Sequence, residues 1–287
     1  MIIAVTGSAG FVGSYLLKKL NMLGHEVIEL DIRKGIDITD WEAIKDLPDF
    51  HVCIHLAAKS FVPASYVEAR SFYHVNINGT LNMLEACKLR NAKLIFTSSY
   101  VYGKPDYLPV DEQHKTSAFN PYAHSKIMCE ELCQNYATFF GVPVIIFRPF
   151  NIYGHGQDKI FLIPEILEKA TLSDTIELLD PVPKRDMIYV EDLVDAYISA
   201  INSGLKNEIF NIGSGVSYSV AQIAEMILSN LGKKTQITYK HKKRVNEVND
   251  VVADISRARK LLGWQPKTSI ESGLSQTVRQ YMEWKNI

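Results

Sequence analysis

Tyr122 and Lys126 stand four residues apart in a stretch that begins after Pro121. Proline suits the first turn of a helix, and residues four apart share one helix face. A phenol and an ammonium placed together in this way can pass a proton. The cation favours the tyrosinate, so a group whose ordinary value lies near 10 can work closer to neutrality. Alone, such a pair is also what helix surfaces carry. Ser98 changes its meaning, because it follows a strand-like apolar run in Thr97-Ser98-Ser99-Tyr100-Val101-Tyr102-Gly103.

A second cluster lies at the N-terminus, where Gly7-Ser8-Ala9-Gly10-Phe11-Val12-Gly13 follows an apolar strand and opens a helix. Glycines in that context permit a tight turn and close backbone approach to a pyrophosphate, although a glycine also simply ends many strands. Asp31 ends the next strand, where an acid can accept hydrogen bonds from the adenosine ribose and favour NAD. Arg33 and Lys34 follow at once, and a guanidinium there can pair with the 2′-phosphate of NADP. NAD leads only slightly. Asp37-Ile38 falls where a carboxylate can meet the adenine amino group or, equally, cap a solvated helix.

The elements that must position these residues alternate. Strands are predicted over Ile2 to Thr6, Glu26 to Leu30, Val52 to His55, Lys93 to Thr97 and Val144 to Phe147, and helices over Phe11 to Leu23, Tyr66 to Arg90 and Pro121 to Phe140. Nearly all-apolar strands alternating with helices specify an α/β fold, a doubly wound parallel sheet covered on both faces. Ligands of such sheets bind beyond the carboxyl ends of the strands, which selects Gly7, Asp31, Leu56, Ser98 and Asn151. After Asn151 the alternation loosens: a helical pattern over 160–170, a proline-punctuated run over 176–186, a helix over 192–203, a strand over 208–212. Residues 1–151 with about 186–213 are expected to form the dinucleotide-binding domain, and about 152–185 with 214–287 a smaller α/β lobe.

Composition removes several classes. The 287 residues are 47% hydrophobic and 22% charged, with a net charge of −1. That balance offers no footprint for nucleic acid or an anionic membrane. The apolar run from Met1 to Val5 is too short for a signal core or a membrane span, which predicts a cytoplasmic protein. Cys53, Cys87, Cys129 and Cys133 lack histidines at ligand spacing, so buried reduced thiols and no metal are expected.

Taken together, the motifs resemble the extended short-chain dehydrogenase/reductases, specifically the nucleotide-sugar epimerase/dehydratase family. The resemblance runs through the glycine loop, His55-Leu56-Ala57-Ala58, Asn76-Ile77-Asn78-Gly79-Thr80, the Ser98 segment, Tyr122-x-x-x-Lys126, Arg148-Pro149-Phe150-Asn151-x-Tyr153-Gly154 and Arg185-Asp186. It implies Tyr122 as acid/base, Lys126 as the cation that binds ribose and lowers its pKa, and Ser98 as hydrogen-bond partner of the reacting sugar oxygen. It also implies that Leu56, Ala57, Ala58 and Asn76 line NAD or NADP, with Phe11, Val12, Ile32, Thr97, Pro149 and Phe150 beside it. Lys59 and Ser60 mark the edge where substrate begins. Ser99, Tyr100, Asn151, Phe161 and Leu162 would touch a nucleotide-diphosphate sugar. Arg185 and Arg244 would grip its diphosphate, as fork-shaped guanidinium groups can, and Glu247 resembles the family's acid at the nucleoside ribose.

The family's 4,6-dehydratases carry an acid beside the position of Ser98 or just after it; here Ser99 and Tyr100 stand there, which leaves an elimination without its base. Two activities at C4 remain, a 4-epimerase and a reductase of a 4-keto-6-deoxy nucleotide-sugar. The short substrate lobe and the Arg33-Lys34 pair tilt the expectation toward the reductase. A non-catalytic NAD(P) sensor would lack Ser, Tyr or Lys of the set, and all three are present. The resemblance also implies a homodimer formed through the two long helices.

Overall fold

The computed structural model describes residues 1–242 and 247–286. β1 (Ile2–Thr6) leads through the glycine turn into α1 (Phe11–Met22), and then come β2 (Glu26–Leu30), α2 (Trp41–Lys45) and β3 (Val52–His55). After α3 (Val62–Ser65) a long helix starts as α4 (Ala69–Tyr73), passes through a π-turn (His74–Asn78) and continues as α5 (Gly79–Arg90). β4 (Lys93–Thr97), α6 (Pro121–Phe140) and β5 (Val144–Pro149) follow. The expected helix over 66–90 is therefore present but starts later, and the wider turn inside it sets Asn76 on a different face from the one a regular helix would give.

β6 (Asn151–Tyr153), α7 (Leu162–Leu172), β7 (Thr175–Leu178), β8 (Lys184–Tyr189), α8 (Val190–Asn202), β9 (Glu208–Ile212), β10 (Ser217–Ser219), α9 (Val220–Leu231), β11 (Gln236–Tyr239) and α10 (Ile270–Lys285) complete the chain. Six strands form one parallel sheet in the order β2-β1-β3-β4-β5-β9. Strand order switches direction between β1 and β3, so the crevice beyond their carboxyl ends is where a ligand fits such a sheet. Every residue of β3 and β5 is buried, as a strand covered on both faces requires. One core packs α1 and α8 on one face, including Leu16, Leu20, Leu193 and Tyr197. The other packs α5 and α6, and all four cysteines lie in it as free, buried thiols.

β6, β8 and β10 make a second sheet, and β7 pairs with β11. The proline-punctuated run thus resolves into β7 and β8, with Pro181 and Pro183 between them. Sequence reading missed β6, because it starts two residues after β5 with no turn residue to announce it. Asp186 binds these parts together. Its buried carboxylate accepts from Ser214 N (2.6 Å), Ser214 Oγ (2.7 Å), Gly215 N (2.9 Å) and Ala253 N (3.0 Å). Among the described residues no helix is long and apolar enough to cross a membrane, and no cluster of ligating side chains could hold a metal ion.

Candidate active site

The glycine turn is shaped by contacts no side chain could share. Gly7 adopts φ +66°, and a Cβ there would lie 2.9 Å from Ala57 N. A Cβ on Gly13 would lie 2.2 Å from Gly7 O and 2.7 Å from Ser8 O. Gly10 is the N-cap of α1, so the first amides of that helix face outward with no side-chain cap. Phe11 and Val12 are partly buried, packing their side chains against the lobe core. The Ser8 hydroxyl is fully buried and has no hydrogen-bond partner among the described residues. A backbone cradle with an unmatched buried donor fits a pyrophosphate.

Asp31, the residue expected at the adenosine ribose, borders this cradle. Its carboxylate accepts from Ala9 N (2.9 Å) and Arg33 N (2.8 Å), while Arg33 Nη1 donates to Ala9 O at 2.8 Å. Acid and guanidinium therefore flank the same turn, and Ile32 between them is exposed. Lys34 instead pairs with Glu29. Asp37 accepts from Thr39 N and Thr39 Oγ1, closing a local turn, and Ile38 is buried against Gly79.

A buried run of hydrogen bonds fixes the loop after β3. Thr6 Oγ1 accepts from Leu56 N (3.1 Å) and Ala57 N (3.0 Å), so its own hydrogen goes to His55 Nδ1 at 2.6 Å. His55 Nε2 then donates to Thr80 Oγ1 (3.1 Å), and Thr80 donates to Asn76 O (2.7 Å). Burial, helped by the charge of Lys126, lowers the His55 pKa to about 3, which keeps the ring neutral. The Asn76 amide binds Lys59 N, Lys59 O and Ser125 Oγ. Its bonding capacity is thus directed at holding Ala58, Lys59 and Ser60 in place. Lys59 Nζ pairs with Glu68.

Asn120 caps α6 by accepting from Ala123 N (2.7 Å), with Pro121 in the first turn. Tyr122 sits at that helix start and Lys126 one turn on, its Nζ donating to Thr97 O at 2.7 Å. The Thr97 side chain points the other way, to Tyr197 OH. Burial raises the Tyr122 pKa, offset in part by a hydrogen bond to Ser99, and burial lowers that of Lys126. The expected lowering of the phenol by its lysine is thus absent from this state: desolvation is the largest cause of the shift, and Lys126 is not among its causes. Ser98 is buried and donates to Glu130 Oε1 at 2.5 Å.

On the substrate side, the Tyr100 hydroxyl donates to Gly103 O, and its ring packs against Phe150 with centroids 5.4 Å apart. Phe150 follows Pro149 at the end of β5 and is itself buried. Asn151 Nδ2 donates to Asp186 O (3.2 Å). Phe161, just ahead of Leu162 at the start of α7, meets Phe61 edge-on at 6.2 Å, bringing the Ser60 loop to α7. Arg185 donates to Val248 O (2.8 Å) and pairs with Glu247, so the two residues expected at the diphosphate and ribose hold one another. Arg244 lies outside the described residues.

The family model for the NAD-dependent epimerase/dehydratase family matches residues 3–213. The chain belongs to that family. It is 31% identical to the UDP-glucose 4-epimerase of Lactobacillus helveticus, over 93% of this chain and 92% of that protein. It is 28% identical to the GDP-6-deoxy-D-mannose reductase of Pseudomonas aeruginosa, over 94% and 93% respectively. Among solved structures it superposes on the UDP-glucose 4-epimerase of Thermotoga maritima, solved with UDP-glucose, with a TM-score of 0.93, 29% identity and coverage of 99% and 100%. Sequence reasoning placed the family but missed Thr6, Glu130 and the hub role of Asp186. A carboxylate on the buried stripe of α6, one turn beyond Lys126, was the signal for Glu130.

Proposed function

We propose that this protein is a nucleotide-sugar 4-epimerase that works at C4 of a nucleotide-diphosphate sugar. The carrying observation is the convergence of Ser98, Ser99, Tyr122 and Lys126 beside a glycine cradle that has no room for side chains. When bound, NAD(P) supplies the hydride acceptor and donor. Tyr122 moves the proton of the C4 oxygen, and Lys126, anchored on Thr97 O, holds the ribose. Arg185 releases Glu247 to take the diphosphate while Glu247 turns to the nucleoside ribose. In the same reading the chain is a homodimer through α4–α5 and α6, which sedimentation velocity tests.

Beside the Arg33-Lys34 pair, a short substrate lobe was one ground for favouring a reductase. That ground is lost, since epimerases from L. helveticus and T. maritima match over 92% and 100% of their own length and have a lobe of the same extent. The reductase stays as second reading on one observation, the Arg33 guanidinium seated on the cradle beside Asp31, where it can accept NADPH. Incubation with UDP-, GDP- and dTDP-sugars and their 4-keto-6-deoxy forms, with NADH or NADPH, separates the two by mass spectrometry. An isobaric product means epimerase, and a gain of two hydrogens means reductase. No product and no change in nicotinamide absorbance with any of them would leave only the sensor.

A further inference from the structure

Lys126 carries a charge that the active site has buried, and most of its surroundings do not answer that charge. The residue is 4% exposed, and burial pulls its pKa down. An ammonium has three hydrogens to give, and Thr97 O takes one at 2.7 Å. The charged and titratable groups packed near it come from two elements. On α6, Glu130 accepts from Ser98 Oγ (2.5 Å) and from Arg148 through Nε (3.0 Å) and Nη2 (2.5 Å). Cys129 and Cys133 on the same helix are thiols that burial keeps protonated, and burial likewise keeps the proton on Tyr122. On β3, His55 is neutral and fixed by Thr6 and Thr80. The one carboxylate in this set, Glu130, is already matched by the fork of Arg148.

Phe96 supplies a second partner. It lies on β4 beside Thr97 and is fully buried, and Lys126 Nζ stands over its ring, 4.8 Å from the centroid. An aromatic face carries the negative end of the ring quadrupole and attracts a cation within about 6 Å, more strongly where water is excluded. His55 flanks the same ring, with centroids 5.8 Å apart. Being neutral, it does not compete with Lys126 for that ring. The carbonyl of one residue and the ring of its neighbour thus grip the ammonium together. We propose that Phe96 is a positioning residue: with Thr97 O, its ring face holds Lys126 charged and in place for the cofactor ribose. This rests on the reading of Lys126 given above. Thr97 O uses one hydrogen of the ammonium, and those that remain serve the ribose hydroxyls. Without the ring face, the buried ammonium gives up its proton more readily, and the ribose loses a charged donor.

Replacing Phe96 in the full chain by mono-, di- and trifluorinated phenylalanine tests this, because fluorine changes the ring's shape little while draining negative charge from its face. The proton affinity of Lys126, followed by NMR of labelled lysine in cofactor-free protein, is expected to fall stepwise along the series, by about three- to tenfold at the trifluorinated ring. The affinity for NADH, whose nicotinamide carries no charge, is expected to fall in the same order at alkaline pH, read by fluorescence titration. Phe96→Leu, which removes the face and keeps an apolar side chain, should lose at least as much as the trifluorinated ring. Values that stay level along the fluorine series while Phe96→Leu alone loses affinity mark Phe96 as packing only and overturn the proposal. NADH affinity that ignores the series overturns it as well. Monofluorination, the smallest change, keeps the slope readable should Phe96→Leu fail to fold. If the enzyme turns over no nucleotide-sugar, the C4 reading fails by itself, and Phe96 is still judged, since neither the NMR nor the NADH series needs a sugar.

Discussion

Tyr122 and Lys126 are both pushed toward their neutral forms by burial, the phenol upward and the ammonium downward. The phenol therefore keeps its proton in this state and faces the site as a donor. Tyr122→Phe retains the ring and its edge contact with Phe72 but removes that proton. Turnover is expected to fall by about 10²- to 10⁴-fold, the usual weight of a general acid/base, with cofactor affinity, read by fluorescence titration, nearly unchanged. Gly13→Ala should do the opposite. Its methyl meets two carbonyl oxygens of the turn at under 3 Å, so cofactor affinity is lost while a melting curve still shows a folded chain. Both sets of residues were legible in the sequence, because a glycine-only turn and a Tyr-x-x-x-Lys helix start are local patterns. Glu130 was harder to see, since its meaning comes from Ser98 and Arg148, which reach it from β4 and β5.

At the level of elements, the Thr6–His55–Thr80 run ties β1, β3 and α5 into one support for the loop at 56–60. The strands themselves were readable from hydrophobic pattern: β1, β2, β3 and β4 have the expected ends. What the pattern could not reveal was the π-turn at His74–Asn78, because a one-residue widening leaves apolar spacing almost intact. His55 gives this support a pH limit. Its ordinary pKa of 6.5 is lowered to about 3 in the folded chain, so below 6.5 the unfolded state binds the extra proton. Stability from this group is full above pH 6.5 and is lost as pH falls toward 3, at about 1.4 kcal/mol per pH unit. Melting temperature against pH should therefore drop more steeply in wild type than in His55→Asn; parallel curves would remove His55 from the account. In the same layer, burial raises the thiol pKa of Cys53, Cys129 and Cys133. A thiol reagent at neutral pH should label none of the four cysteines until denaturant is added.

Across the whole molecule, the sheet that carries the cofactor cradle and the lobe that carries Arg185 meet at Asp186. The sequence marks this residue only as the neighbour of Arg185, because its partners Ser214, Gly215 and Ala253 come from distant parts of the chain and only folding collects them. The segment ending at Ala253 also hydrogen-bonds to the loop before α6, where Val110 N meets Val252 O and Asp254 N meets Val110 O. Glu247 and Val248, at the start of that segment, hold Arg185. The position of the proposed diphosphate grip at Arg185 thus depends on the joint built around Asp186. Asp186→Ala leaves the buried Ala253 amide and the partly buried amides of Ser214 and Gly215 without their acceptor, and at roughly 1 kcal/mol for each the loss is about 3 kcal/mol. For a chain of this size that corresponds to roughly 6–12 °C in melting temperature. The glycine turn and Asp31 lie on other strands, so calorimetry on the folded variant should find dinucleotide affinity near wild type and nucleotide-sugar affinity sharply reduced. Equal loss of both ligands would mean that Asp186 supports the fold as a whole, with no selective hold on the substrate side.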